Sequence, residues 1–132
     1  MAEIAAAKKQ IHVQAYNFTS APIARALIDA GRRGVKVIVI LDASNRSQKY
    51  SAADFLAHEG AETYIDSQHA IAHNKVMIID DAVVLTGSFN FTKAAEENNA
   101  ENLIVIRNAE VASVYEKNWQ EHFAHAEYYA GK

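Results

Sequence analysis

Residues 11–18, IHVQAYNF, alternate apolar and polar side chains, the period of a strand with one covered face. Thr19-Ser20 then offers a helix N-cap ahead of Ala21-Pro22, and proline fits a first helical turn because no intrahelical acceptor awaits its missing N–H. Ile23, Leu27 and Ile28 recur at helical spacing until Gly31 and Gly34. Residues 35–41, VKVIVIL, are nearly continuous and β-branched, which predicts a strand covered on both faces. A polar loop over 42–48, a short helix over 51–58 closed by Gly60, and a short strand over 61–65 follow. Strand, helix, strand, helix, strand is the order that builds parallel strands with helices outside the sheet.

The second half changes period. Residues 73–79 and 82–90 are two strand-like runs separated by Asp80-Asp81, which predicts a hairpin with a two-residue turn. Residues 92–99 are polar and alanine-rich, a short helix or a loop. Another strand is expected over 101–106. An amphipathic helix over 111–125 carries Val114, Tyr115, Trp119 and Phe123. No internal repeat or linker interrupts the pattern, so the expectation is one α/β domain over 1–132. Its sheet should be mixed and largely parallel, with helices on both faces. The start is abrupt: residues 3–9 read as the back half of a helix with no strand before it, which suggests truncation or processing at the N-terminus.

Composition narrows the chemistry. The chain has 132 residues, half of them hydrophobic and 22% charged, enough for one buried core. Its formal net charge is −3, so a polyanion would have to be held by a local cluster rather than a global field. The absence of cysteine excludes disulfides, thiol catalysis and thiolate zinc sites. No apolar run approaches the ~20 residues of a membrane span, so membrane insertion is not expected. The compartment stays open between periplasmic or secreted, after removal of a signal, and cytoplasmic.

Within the expected hairpin, HNKVMIID over 73–80 mixes core-quality residues with a histidine and a lysine. Side chains two apart on a strand share a face, so His73 and Lys75 would point the same way. With a two-residue turn, Lys75 would face Thr86, His73 would face Ser88, and Asn90 would follow on that face. Val76, Ile78, Val83, Leu85 and Phe89 would form the opposite, core face. An ammonium, an amide and an imidazole side by side suit an oxyanion.

His73-x-Lys75-xxxx-Asp80 followed by Gly87-Ser88-Phe89-Asn90 resembles the HxKxxxxD signature of the phospholipase D superfamily, with Glu101 where that family places an acidic partner. The stretches AYNFTSAPIARALIDAGRRGVKVIVILD, HNKVMIIDDAVVLTGSFNFTKAAEENNAEN and NWQEHF are similar to its small bacterial endonuclease branch. The resemblance implies that His73 attacks phosphorus, giving a phosphohistidine that water then releases. Lys75 and Asn90 would hold the phosphoryl oxygens, Glu101 would orient the His73 ring, and Ser88 would support ring or phosphate. Asp80, at the hairpin end, would brace the turn or a neighbouring backbone. No metal or other cofactor is implied. A second histidine must protonate the leaving group, and only one motif copy is present. The implied assembly is therefore a homodimer with the active site on its two-fold axis.

The implied activity is sequence-nonspecific hydrolysis of DNA, with RNA as a further substrate. A lipid phosphodiesterase and a non-catalytic nucleic-acid-binding module are the alternatives. Arg46 and Lys93 are candidate substrate contacts, and Arg32-Arg33 reads as a solvated helix end. His69 and His73, four apart on a strand, are too widely spaced for shared metal ligation. His12, His58, His122 and His125 read as surface or packing residues.

Overall fold

The computed structural model describes residues 2–16, 18, 20–43, 52–66, 75–87 and 103–130. Helix α1 spans Ala2–Ala5, strand β1 Gln10–Ala15, helix α2 Ala21–Arg32, strand β2 Lys36–Asp42, helix α3 Ala53–His58 and strand β3 Glu62–Asp66. Strands β4, Lys75–Ile79, β5, Val83–Gly87, and β6, Leu103–Arg107, follow. Helix α4, Ala109–Phe123, and strand β7, Glu127–Tyr128, complete the order. Side-chain caps fix where the long helices begin. Ser20 Oγ accepts from the Ile23 N–H at the start of α2, and Asn108 Oδ1 accepts from the Glu110 and Val111 N–H groups at the start of α4.

The strands form one seven-stranded sheet in the order β6-β5-β4-β1-β2-β3-β7. It is mixed and flanked by helices on both faces, as expected. Parallel pairing is confined to β1–β2 and β2–β3, while β1–β4, β4–β5, β5–β6 and β3–β7 are antiparallel. The sheet is therefore less parallel than the βαβ order of the first half implies, because the second half adds its strands as hairpins. Strand β7 was not anticipated; two residues are too few to show a period.

Alternate strand residues divide the interior into two layers. Ile11, Val13, Val39, Leu41, Ile65, Met77 and Leu85 pack with Ile23, Leu27 and Ile28 of α2 and Leu56 of α3. Ile38, Ile40, Ile78 and Val84 pack on the other face with Ala112 and Trp119 of α4.

The β4–β5 turn departs from expectation by one residue. Asp80 and Asp81 both have positive φ, 55° and 54°, and the Ala82 N–H closes the turn onto the Ile79 carbonyl at 3.0 Å. Such a turn matches the twist of a hairpin, and aspartate tolerates the left-handed region. The ladder resumes only at Val83, which pairs with Ile79, so Ala82 is an inserted residue. Thr86 consequently pairs with Val76, not Lys75. A one-residue slip turns over every side chain of a strand. Val83 and Leu85 therefore join Met77 and Ile79, whereas Val84 joins Ile78 on the α4 side.

Candidate active site

The three hairpin strands bring the candidate chemistry to one edge of the sheet. β4 begins at Lys75, which pairs with Ala15 at the C-terminal end of β1. β5 ends at Gly87, which pairs with Leu103 at the start of β6. Lys75, Gly87 and Leu103 thus mark the same edge, at which the parallel strands β1 to β3 also end. His73 precedes Lys75 by two residues, Ser88 and Asn90 follow Gly87, and Glu101 precedes Leu103 by two. His73, Ser88, Asn90 and Glu101, with Arg46 and Lys93, lie outside the described residues, and Lys75 is described by its backbone alone. Among the described residues, the strand ends at Lys75, Gly87 and Leu103 lie together. In an α/β sheet the C-terminal edge of the parallel strands is the side on which ligands bind.

Asp80 sits at the far end of β4. Five strand steps separate it from Lys75, roughly 17 Å. Its carboxylate accepts hydrogen bonds from the backbone N–H groups of Lys8, Lys9 and Gln10, at 2.9, 2.7 and 3.0 Å. The Asp80 N–H donates to the Gln10 carbonyl at 2.9 Å, so the turn and the entry to β1 are bound reciprocally. Burial opposes ionisation and is the largest single effect on this carboxyl. The three N–H donors and the charge of Lys9 together outweigh it and hold the group below the ordinary aspartate range.

A group with a depressed folded pKa stabilises the fold above its unfolded pKa, and that contribution is lost as pH falls through the folded value. Asn at this position keeps the left-handed turn but loses the charge. Asp80→Asn is thus expected to lower stability near neutral pH by about 1 kcal/mol. The gap from wild type should close in acid, below a pH of about 4. Urea melts of both proteins across that range check it; a gap that is constant with pH would contradict the assignment.

Farther along β1, on the α4 face, lies a polar arrangement that sequence patterning missed. His12 is buried, its Nδ1–H donates to the Glu116 carboxylate at 2.7 Å, and its ring stacks on Trp119 with centroids 4.0 Å apart. Trp119 Nε1–H donates to the Val13 carbonyl at 3.1 Å, and Gln120 holds the second Glu116 oxygen at 2.7 Å. The alternation of β1 puts His12 on a covered face, but nothing local announces a partner 104 residues away. Gln14, two residues along the same face, is buried with its Nε2 unpaired among the described residues. One further group, Asp66 with His122 and His125, has metal-ligating geometry among the described residues.

The family model described as "Cardiolipin synthase, PLD-like domain" matches residues 1–123. The chain belongs to the phospholipase D superfamily. A "Phospholipase D" of Rickettsia bellii is 50% identical over 117 residues, which are 89% of this chain and 58% of that protein. The chain thus spans little more than half the length of this relative. Among solved structures, the phospholipase D family member Nuc from Salmonella typhimurium superposes with a TM-score of 0.93 at 39% identity, covering 97% of this chain and 86% of Nuc. NucT from Helicobacter pylori superposes with a TM-score of 0.90 at 28% identity, covering 97% and 87%. Among the described residues of this phospholipase D-like chain, no helix is long and apolar enough to cross a membrane.

Proposed function

We propose that this chain is a metal-independent phosphodiesterase that cleaves nucleic acid as a sequence-nonspecific endonuclease, on DNA and also on RNA. The observation that supports this reading is the convergence of Lys75, Gly87 and Leu103, the strand ends next to the HxK, GSFN and Glu101 positions, on one sheet edge, in a fold that matches Nuc over 97% of this chain. In the proposed mechanism the His73 imidazole attacks phosphorus, and the P–O bond to the leaving alcohol breaks as a second histidine protonates that oxygen. Water, deprotonated by the same second histidine, then displaces His73 and releases the phosphate monoester. Lys75 and Asn90 stabilise the charge that develops on the phosphoryl oxygens, and Glu101 stabilises the His73 imidazolium. Ser88 supports the ring or a phosphate oxygen, and Arg46 and Lys93 contact the flanking strand.

A lipid-directed reading is favoured by one observation: the Rickettsia bellii relative, 50% identical, bears the name "Phospholipase D". Plasmid and RNA degradation measured beside phosphatidylcholine turnover, with a His73→Ala control for each, separates the two. Nucleic-acid cleavage that persists in the His73→Ala protein would reject this site as its source. Phosphatidylcholine turnover without cleavage would establish the lipid reading, and neither activity would leave a binding module.

Because lysine and imidazolium supply the positive charge, hydrolysis is expected to continue in excess EDTA at a temperature well below the unfolding midpoint. Complete loss in EDTA with rescue by magnesium would reject the mechanism.

A further inference from the structure

At the end of β3, away from the HxKxxxxD strands, a carboxylate and two imidazoles converge. Asp66 is the last residue of β3 and is fully buried. His122 lies in the last turn of α4, and His125 follows in the turn that returns the chain to β7. One oxygen of Asp66, Oδ2, is 3.3 Å from His122 Nδ1 and 3.3 Å from His125 Nε2. The three ligand atoms lie within 4.8 Å of one another, and the two rings meet edge to face.

Both contacts are long for charge-assisted hydrogen bonds. A charge-assisted N–H to carboxylate bond closes to about 2.7–2.9 Å. This protein makes such a bond between His12 and Glu116, at 2.7 Å. Two nitrogens held at 3.3 Å from one oxygen are farther than that. Ligands at about 2.1 Å from a tetrahedral zinc ion are separated by roughly 3.4 Å, close to the 3.3 Å of the two nitrogen–oxygen separations here. Two imidazoles and one carboxylate are a donor set of zinc and related divalent transition metals, with a fourth position left for water.

We propose that Asp66, His122 and His125 bind a divalent transition-metal ion, of which zinc is the representative, as a clamp joining the ends of β3 and α4. The ion ties the return turn after α4, and through it β7, to the sheet. Along the shared edge the ends of β3 and β4 are three strand spacings apart, about 14 Å. The proposal does not depend on the substrate or on the nuclease reading, and it is compatible with hydrolysis in EDTA, because the ion supports the fold rather than the chemistry.

Tag-free protein stripped with chelator and returned to zinc should bind one ion per chain by native mass spectrometry and melt several degrees higher. Cobalt(II) should give visible absorption of tetrahedral intensity at the same stoichiometry. The His125 side chain is 26% exposed, and His125→Gln should weaken zinc at least tenfold and abolish the cobalt bands. His122→Gln and Asp66→Asn should do the same, while His73→Ala should leave zinc affinity unchanged. Failure of wild type to bind zinc at micromolar concentration would overturn the proposal. So would equal affinity in wild type and His125→Gln, or loss of binding in His73→Ala.

Discussion

His73→Ala is expected to lower phosphodiester hydrolysis by at least about a thousandfold, with no comparable change in stability. A nucleophile forms the covalent bond to phosphorus, so its removal leaves the oxyanion contacts without an attacking atom. The fold should survive because the strand it precedes is anchored elsewhere. Met77, Ile78 and Ile79 are buried, and β4 pairs with β1 on one side and β5 on the other. His73→Gln should be as inactive as alanine, since an amide fills similar space without nucleophilicity. Initial rates on plasmid and on a small phosphodiester, set beside circular dichroism melts, decide the matter. A well-folded variant that retains more than a few per cent of wild-type turnover would remove His73 from the role.

What the sequence disclosed and what it hid follow from the range of the interactions concerned. The cap at Ser20, the β-branched run of β2 and the Asp80-Asp81 turn are local, and periodicity, cap residues and turn composition report on local structure. The signature around His73 and Lys75 was legible because its residues are close in sequence and of types rarely set in a strand. The extra residue at Ala82 was not legible. A two-residue and a three-residue connection carry the same aspartates, and only the pairing of Ile79 with Val83 tells them apart. His12 with Glu116, and Asp66 with His122 and His125, were hidden for another reason. Their partners are 104, 56 and 59 residues apart, and topology alone brings them together. His122 and His125, three apart at the end of a helix, were the one local hint of the second group.

A second large effect is expected from subunit mixing. The mechanism requires one histidine to attack and another, on the opposite side of phosphorus, to protonate the leaving oxygen, yet the chain carries one HxKxxxxD copy. A two-fold axis through the site lets that copy serve twice, because an isologous interface presents the same patch from both subunits. The sheet offers a surface for such contact on the motif side. β6 is its outer strand there, and Ile104 and Val105 on it are exposed, as is Val114 of α4. When wild-type chains are mixed with an equal amount of His73→Ala chains and allowed to exchange, random pairing converts half of all dimers to heterodimers. Each heterodimer has one histidine and should be nearly inactive, so activity should fall to about half that of the wild-type chains alone. Independent monomers would show no change on mixing. Sedimentation at assay concentration should also give a dimer, with active sites at half the chain concentration. A fully active monomer would require the second histidine to come from the same chain, and the one-copy arrangement would then fail.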